Sequence, residues 1–211
     1  MDSPKDWDLQ SEDWLKVREK TKDYFLNREL QLVRPFIRID DKVLELMCGN
    51  GIFSNDIDSE FIVGIDWSEK MLENRKKGPI YVKGDARTLP FADKSFDKIV
   101  WMGNTIPCIP PKTFVRSLRE ASRVLKPQGL LFMNFVWLGA FNWKIYYLWK
   151  NHLWKLLHKK DPKGHWKTKS KEYYTPYFMT EIKLKATKFD FSTKRISKVN
   201  ELLACVELKK K

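Results

Sequence analysis

The chain has 211 residues, of which 43% are hydrophobic and 14% aromatic, a balance that suits one globular domain with a real core and excludes a disordered chain. Forty lysines and arginines against 27 acids leave a formal net charge of +13. Such an excess points to an anionic partner, nucleic acid or lipid headgroups, or serves solubility alone.

In chain order, residues 11–34 read as an amphipathic helix. Ser11 is a candidate N-cap, Trp14, Val17, Tyr24, Phe25, Leu30 and Val33 recur at near-helical spacing, and Pro35 ends the run. A first strand is expected at 42–46, running into Met47-Cys-Gly-Asn-Gly51, followed by a short helix at about 52–57 and a second strand at 61–66. Ser68 is expected to cap the next helix, with Glu69 in its first turn, and Gly78-Pro79 to break it. Strands at 80–83 and 96–101 follow, then a helix at 112–126 with Phe114, Leu118, Ala121 and Leu125 on one face, and an apolar strand at 129–136. Alternating strands and helices imply right-handed crossovers and a parallel sheet. The tail predicts a helix near 178–187 and two strands, 188–196 and 202–208, pairing as an antiparallel hairpin through Ser197–Asn200.

The polar start Met-Asp-Ser-Pro-Lys-Asp carries no signal-peptide pattern. The longest apolar run, 129–143, is interrupted by Asn134 and Asn142 and is too short for a transmembrane helix. Cys48, Cys108 and Cys205 are scattered, with no CxxC pair. A disulfide framework and a metal site are therefore not expected, and a cytoplasmic location is.

A strand, then Gly49-x-Gly51, then a helix is a cradle for a polar ligand: glycine lets the backbone approach and the helix start offers N–H donors. Asp66, 15 residues after Gly51 at the end of the second strand, can accept from both hydroxyls of a ribose. A dinucleotide fingerprint would want a third glycine where Ser54 stands, so a pyrophosphate is poorly provided for.

On these residues the chain resembles the class I S-adenosylmethionine-dependent methyltransferases, of the type 11-like kind. Val43-Leu-Glu-Leu-Met-Cys-Gly-Asn-Gly51 is similar to their first motif and Val63-Gly-Ile-Asp-Trp-Ser68 to their second. The stretch Gly84 to Asp97 resembles the segment after their third strand, and Arg123-Val-Leu-Lys-Pro-Gln-Gly129 their entry to the fifth. The resemblance implies a Rossmann-like, doubly wound, mostly parallel seven-stranded sheet with a C-terminal antiparallel hairpin, as one domain over 1–211. It implies S-adenosyl-L-methionine as cofactor. Glu45 and the loop with Met47, Gly49 and Gly51 would then face the methionine part, Asp66 the ribose, and Trp67 the adenine. Asp85 would accept from the adenine amino group while the Ala86 N–H donates to the ring, and Met102 and Gly103 would lie under the methionine moiety. Met47 departs from the pattern, since the family has glycine there; a side chain turned into the core is the expectation.

No catalytic base is identified. His152, His158 and His165 are expected to be solvated surface residues. Gly103-Asn-Thr-Ile-Pro-Cys-Ile-Pro-Pro111 lacks an acid or amide directly before its proline pair, against an exocyclic-amine enzyme, and Cys108 is expected to be an incidental cysteine. Between 137 and 174 aromatics and lysines interleave, and a helix over 143–158 would be amphipathic. Three readings stay open for this segment: a lid over a small or lipid-like acceptor, a helix on an anionic membrane surface, or an RNA contact. The leading function is methyl transfer to a small or amphipathic acceptor. RNA methylation, on tRNA for instance, and a non-catalytic binding protein of the same fold remain beside it.

Overall fold

The computed structural model describes residue 8 and residues 11–75, 78–103, 105–106, 109, 111–136, 166–167, 173–174, 185–198 and 203–211. Seven strands form one sheet. They are β1 (Lys42–Leu46), β2 (Phe61–Asp66), β3 (Ile80–Lys83), β4 (Phe96–Trp101), β5 (Leu125–Val136), β8 (Phe191–Lys198) and β9 (Leu203–Lys210), in the order β3-β2-β1-β4-β5-β9-β8. Pairs among β1 to β5 are parallel, whereas β9 runs antiparallel to β5 and β8. Two short strands, β6 (Trp166–Lys167) and β7 (Tyr173–Tyr174), pair antiparallel apart from the sheet. The helices are α1 (Ser11–Val33), α2 (Glu69–Glu73) and α3 (Pro111–Val124).

The strands expected at 42–46, 61–66, 80–83 and 96–101 form as read. Residues of β1, β2 and β4 alternate between two apolar faces, because successive side chains of a strand point to opposite sides, whereas β3 is a more exposed edge strand. Leu44, Ile99, Trp101, Leu131 and Met133 pack with Phe114, Leu118 and Ala121 of α3. Val43, Ile62, Val100, Leu130 and Phe132 pack with Leu26, Leu30 and Val33 of α1. Asn134, the polar break in the apolar run, faces α1 and donates its amide N–H to the buried carboxylate of Glu29. A polar group buried on both sides thus has a partner, as its desolvation demands.

Several expectations are corrected. Ser11 does not cap α1; its hydroxyl donates to the Asp8 carbonyl at 2.9 Å. The helix at 52–57 is a single 3-10 turn, Ser54–Asp56. α3 ends at Val124 rather than 126, because Leu125 already pairs with Phe96 before an irregularity resets the register. The tail strands lie two or three residues later than read on the 188–196 side, at Phe191–Lys198, and at Leu203–Lys210. Ser68 does cap α2, accepting from the Met71 N–H at 3.2 Å. The 143–158 helix, His152, His158, His165, Cys108 and residues 178–184 of the tail helix lie outside the described residues.

The irregular stretch between β3 and β4 is buttressed by one side chain. Arg123 donates to the Leu89 and Phe91 carbonyls at 2.9 and 2.8 Å and to Asp93 at 2.8 Å, and pairs with Glu120 at 2.7 Å. Glu120 in turn accepts from the Leu89 N–H at 2.8 Å. The Arg123 hydrogen bonds hold the Glu120 carboxyl below its usual range. This is the physical content of the arginine that opens the Arg123–Gly129 motif.

Candidate active site

Parallel pairing of β1 with β2 sets Leu46 beside Ile65, so the loop after β1 meets the acid that ends β2. The Cys48 N–H extends the ladder to the Ile65 carbonyl at 3.1 Å. Asp66 then accepts from the Gly49 N–H at 2.8 Å and from the Ser68 N–H at 2.9 Å. Burial pushes its carboxyl up to about 6, against the pull of N–H donors from Ser68, Gly49 and Trp67 and with a further push from Asp8. Asp8 reaches this end of the site from outside α1, accepting from the Ser68 hydroxyl at 2.6 Å.

A cavity opens at the carboxyl ends of the parallel strands, the usual ligand side of such a sheet. Its lining follows the strand order. Glu45, Met47, Cys48 and Gly49 come from the end of β1, Asp66 and Trp67 from β2, Gly84, Asp85 and Ala86 from β3, and Met102, Gly103 and Thr105 from β4. Ile52, Met71, Ile109 and Thr113 fill the apolar gaps. Nine of the ten residues expected at the cofactor therefore share one cavity: Glu45, Met47, Gly49, Asp66, Trp67, Asp85, Ala86, Met102 and Gly103.

Gly51 does not line it. Its φ is +73°, and a Cβ there would lie 1.9 Å from the Tyr81 hydroxyl. Tyr81 comes from β3, accepts from the Asn55 amide at 2.9 Å, and lies 3.5 Å from the Ser54 hydroxyl. Packing against Tyr81 is thus reason enough for glycine at this position. Gly49 has the opposite placement, lining the cavity at φ +56°.

Met47 shares that left-handed backbone, with φ +56°. This explains why the family has glycine there: an L side chain in that region costs about 1–2 kcal/mol. The side chain is half-buried against the main core while still touching the cavity. The loop thus keeps its shape with methionine.

Ser54, the residue that breaks the dinucleotide fingerprint, holds the acid of the first motif. Its N–H donates to Glu45 at 2.9 Å and its hydroxyl donates to the same carboxylate oxygen. Burial, with Glu45 and Asp66 alongside, raises the Cys48 thiol well above its ordinary value, so it stays protonated and is no nucleophile.

The donor set decides which ligand fits. Among the described lining residues there are three carboxylates, Glu45, Asp66 and Asp85, and no lysine or arginine. A pyrophosphate would meet net repulsion here. A ligand with an ammonium, a cationic sulfonium and ribose hydroxyls finds acceptors for each. Ile65, Trp67, Met71 and Ala86 give the lining apolar surface that a base can lie against. S-adenosylmethionine fits that description. Among the described residues no His, Cys, Asp and Glu group could hold a metal ion.

Sequence reasoning missed Ser54 as a positioning group, Tyr81 behind Gly51, Asp8, and Thr105, Ile109 and Thr113 on the cavity wall. It also missed Arg87, which grips Asp85. Only Arg87 carried a local signal, lying two residues beyond the acid it pairs with.

The fold is the Rossmann-like, mostly parallel sheet with antiparallel C-terminal strands that S-adenosylmethionine-dependent methyltransferases share. Residues 43–129 match the model of a family described as a methyltransferase domain. Among curated proteins the chain is similar to a malonyl-[acyl-carrier protein] O-methyltransferase of Erwinia pyrifoliae, 33% identical over 104 residues, which are 47% of this chain and 38% of that protein. It is also similar to a demethylmenaquinone methyltransferase of Staphylococcus aureus, 34% identical over 106 residues, 45% of this chain and 43% of that one. The aligned region thus spans about two fifths of those relatives. Among solved structures, a Pyrococcus horikoshii protein superposes with a TM-score of 0.70 at 24% identity, covering 92% of this chain and 91% of that one. A SAM-dependent methyltransferase from Thermotoga maritima gives a TM-score of 0.70 at 21% identity, covering 97% and 100%. At these identities the likeness establishes the fold.

Proposed function

We propose that the protein transfers a methyl group from S-adenosylmethionine to a small or amphipathic acceptor, working as one domain over 1–211. The observation that supports this most is the cavity itself, whose described lining has three carboxylates, no lysine or arginine, and apolar side chains among them. When bound, the cofactor supplies a methyl group already activated on a positive sulfur. The residues of the chain bind and orient. Glu45 faces the ammonium end and is kept in place by Ser54; Asp66 accepts from ribose hydroxyls while fixed by Gly49 and Ser68; Asp85 and Ala86 meet the base. Met102 and Gly103 lie under the methionine part, and Thr105, Ile109 and Thr113, which line the same cavity, are assigned to the acceptor side. Among the described residues no titratable side chain belongs to that wall. With the cofactor bound, this wall would align the acceptor with the activated methyl group and exclude water. The acceptors in the names of the two curated relatives, malonyl-[acyl-carrier protein] and demethylmenaquinone, are consistent with this class. The segment 137–174 is assigned, by its sequence, the role of covering the acceptor.

One surface feature favours a second reading, methylation of RNA. Lys112, Arg116 and Arg119 form an exposed stripe along α3 that starts beside the cavity residue Thr113, and cations so placed suit phosphates. Calorimetry with S-adenosylmethionine and S-adenosylhomocysteine tests the cofactor: the folded protein binding neither would sink the methyltransferase reading and leave a non-catalytic fold. Titration with bulk tRNA and with anionic vesicles at rising salt tests the partner. RNA binding that falls steeply with salt, without vesicle binding, selects RNA; binding of neither selects the small acceptor.

A further inference from the structure

Two residues at the adenine end of the cavity, Trp67 after β2 and Asp85 after β3, are joined by a third residue that no motif assigns. Arg87 donates to Asp85 four times over: its backbone N–H to Oδ1 at 2.8 Å, its Nε–H to both oxygens at 3.0 and 2.8 Å, and its Nη2 to Oδ2 at 2.6 Å. Its guanidinium carbon lies 5.0 Å from the centroid of the Trp67 ring. A carboxylate has about four acceptor sites. Three N–H groups of one residue engage both oxygens, and because the Nε–H is shared between them, a further donor finds a place where that N–H keeps one of its two contacts.

We propose that Arg87 is a positioning residue for the nucleobase, holding Asp85 as an oriented acceptor for one exocyclic N–H and Trp67 as the adjoining wall. This rests on the S-adenosylmethionine reading above. The planar fork matters, because only a guanidinium can bind both carboxylate oxygens and lie over an indole at once. With the fork in place, the remaining acceptor site favours a base that offers an amino group there over one that offers a carbonyl. Without it, Asp85 is free to rotate and the preference fades.

The probes are S-adenosylhomocysteine and its inosine counterpart, S-inosylhomocysteine, which carries a carbonyl in place of the amino group. Binding of both is measured by calorimetry for the wild type, R87A and R87K, with thermal midpoints of the empty proteins as control. The wild type is expected to prefer the adenosyl ligand. R87A weakens that ligand by about tenfold, the size of one oriented charged hydrogen bond, while leaving the inosyl ligand nearly unchanged. R87K, with charge but no fork, recovers only part. Equal adenosyl affinity in R87A and wild type would overturn the proposal, as would an equal loss for both ligands. Wild type that binds neither ligand overturns the cofactor reading, and the role of Arg87 falls with it.

Discussion

Replacing Gly51 by alanine separates a packing role from a ligand-binding one. The residue sits at φ +73°, where a side chain costs about 1–2 kcal/mol. The new Cβ would lie 1.9 Å from the Tyr81 Oη and 2.4 Å from its Cζ, so the ring has to leave. The bond from Asn55 to its hydroxyl then goes, at about 1 kcal/mol, and half-buried ring surface is exposed at a cost of about another. The sum is about 3–4 kcal/mol, a drop in thermal midpoint of about 6–16 °C for a chain of this size. Urea unfolding of G51A, Y81A and the double variant measures it. In the Y81A background the clash is absent, and G51A is expected to cost only the backbone part, about 1–2 kcal/mol. Phenylalanine would not serve as the relieving change, because Cζ is itself too close. If G51A costs as much in the Y81A background as in the wild type, the packing argument is wrong. Cofactor affinity of the double variant should match that of Y81A, since Gly51 is not on the cavity wall.

The remaining predictions follow the same loop and its support. M47G relieves about 1–2 kcal/mol of left-handed strain but gives up a half-buried side chain and adds unfolded-state freedom worth about 0.5–1 kcal/mol, so denaturation should place it within about 1 kcal/mol of the wild type. A fall of several kcal/mol would show that the methionine side chain, not the turn, holds the loop. Asp66 has its carboxyl raised to about 6 from an ordinary 3.8, so the folded protein binds more protons than the unfolded one between those values. Its contribution to stability is therefore present at low pH and lost as pH rises from about 4 to about 6. D66N should remove that slope from the stability profile of the empty protein, and an unchanged slope refutes it. Ligand binding runs the other way, because ribose needs the ionised carboxylate: affinity for S-adenosylhomocysteine should weaken below about pH 6 in the wild type. R123A takes away the donors to Leu89, Phe91 and Asp93 and should cost about 2 kcal/mol. Faster hydrogen exchange is then expected in residues 86–95, and unaltered protection there would contradict the buttress.

The sequence by itself determined the strands and most of the cavity. β1, β2 and β4 carry apolar residues on both faces, and β3 is a short apolar run set off by Gly78-Pro79 and Gly84, which is enough for each to declare itself. Residues that end those strands were legible for the same reason: in a parallel sheet every carboxyl end opens on one side, so knowing where each strand stops places Glu45, Asp66, Asp85 and Met102 together. The tertiary structure alone decided what stands behind them. Tyr81 fills the space at Gly51 only because β3 lies on the far side of β2 from β1. Glu29 meets Asn134 across 105 residues because α1 packs on the face of β5 where Asn134 points. Both contacts depend on register and on which face a helix covers, and no local pattern encodes either. The glycine loop shows both sides. Its two glycines and its methionine all take positive φ, yet Gly49 lines the cavity, Met47 lies between cavity and core, and Gly51 abuts a tyrosine. Position in the loop could be read from the residues; direction needed the neighbours.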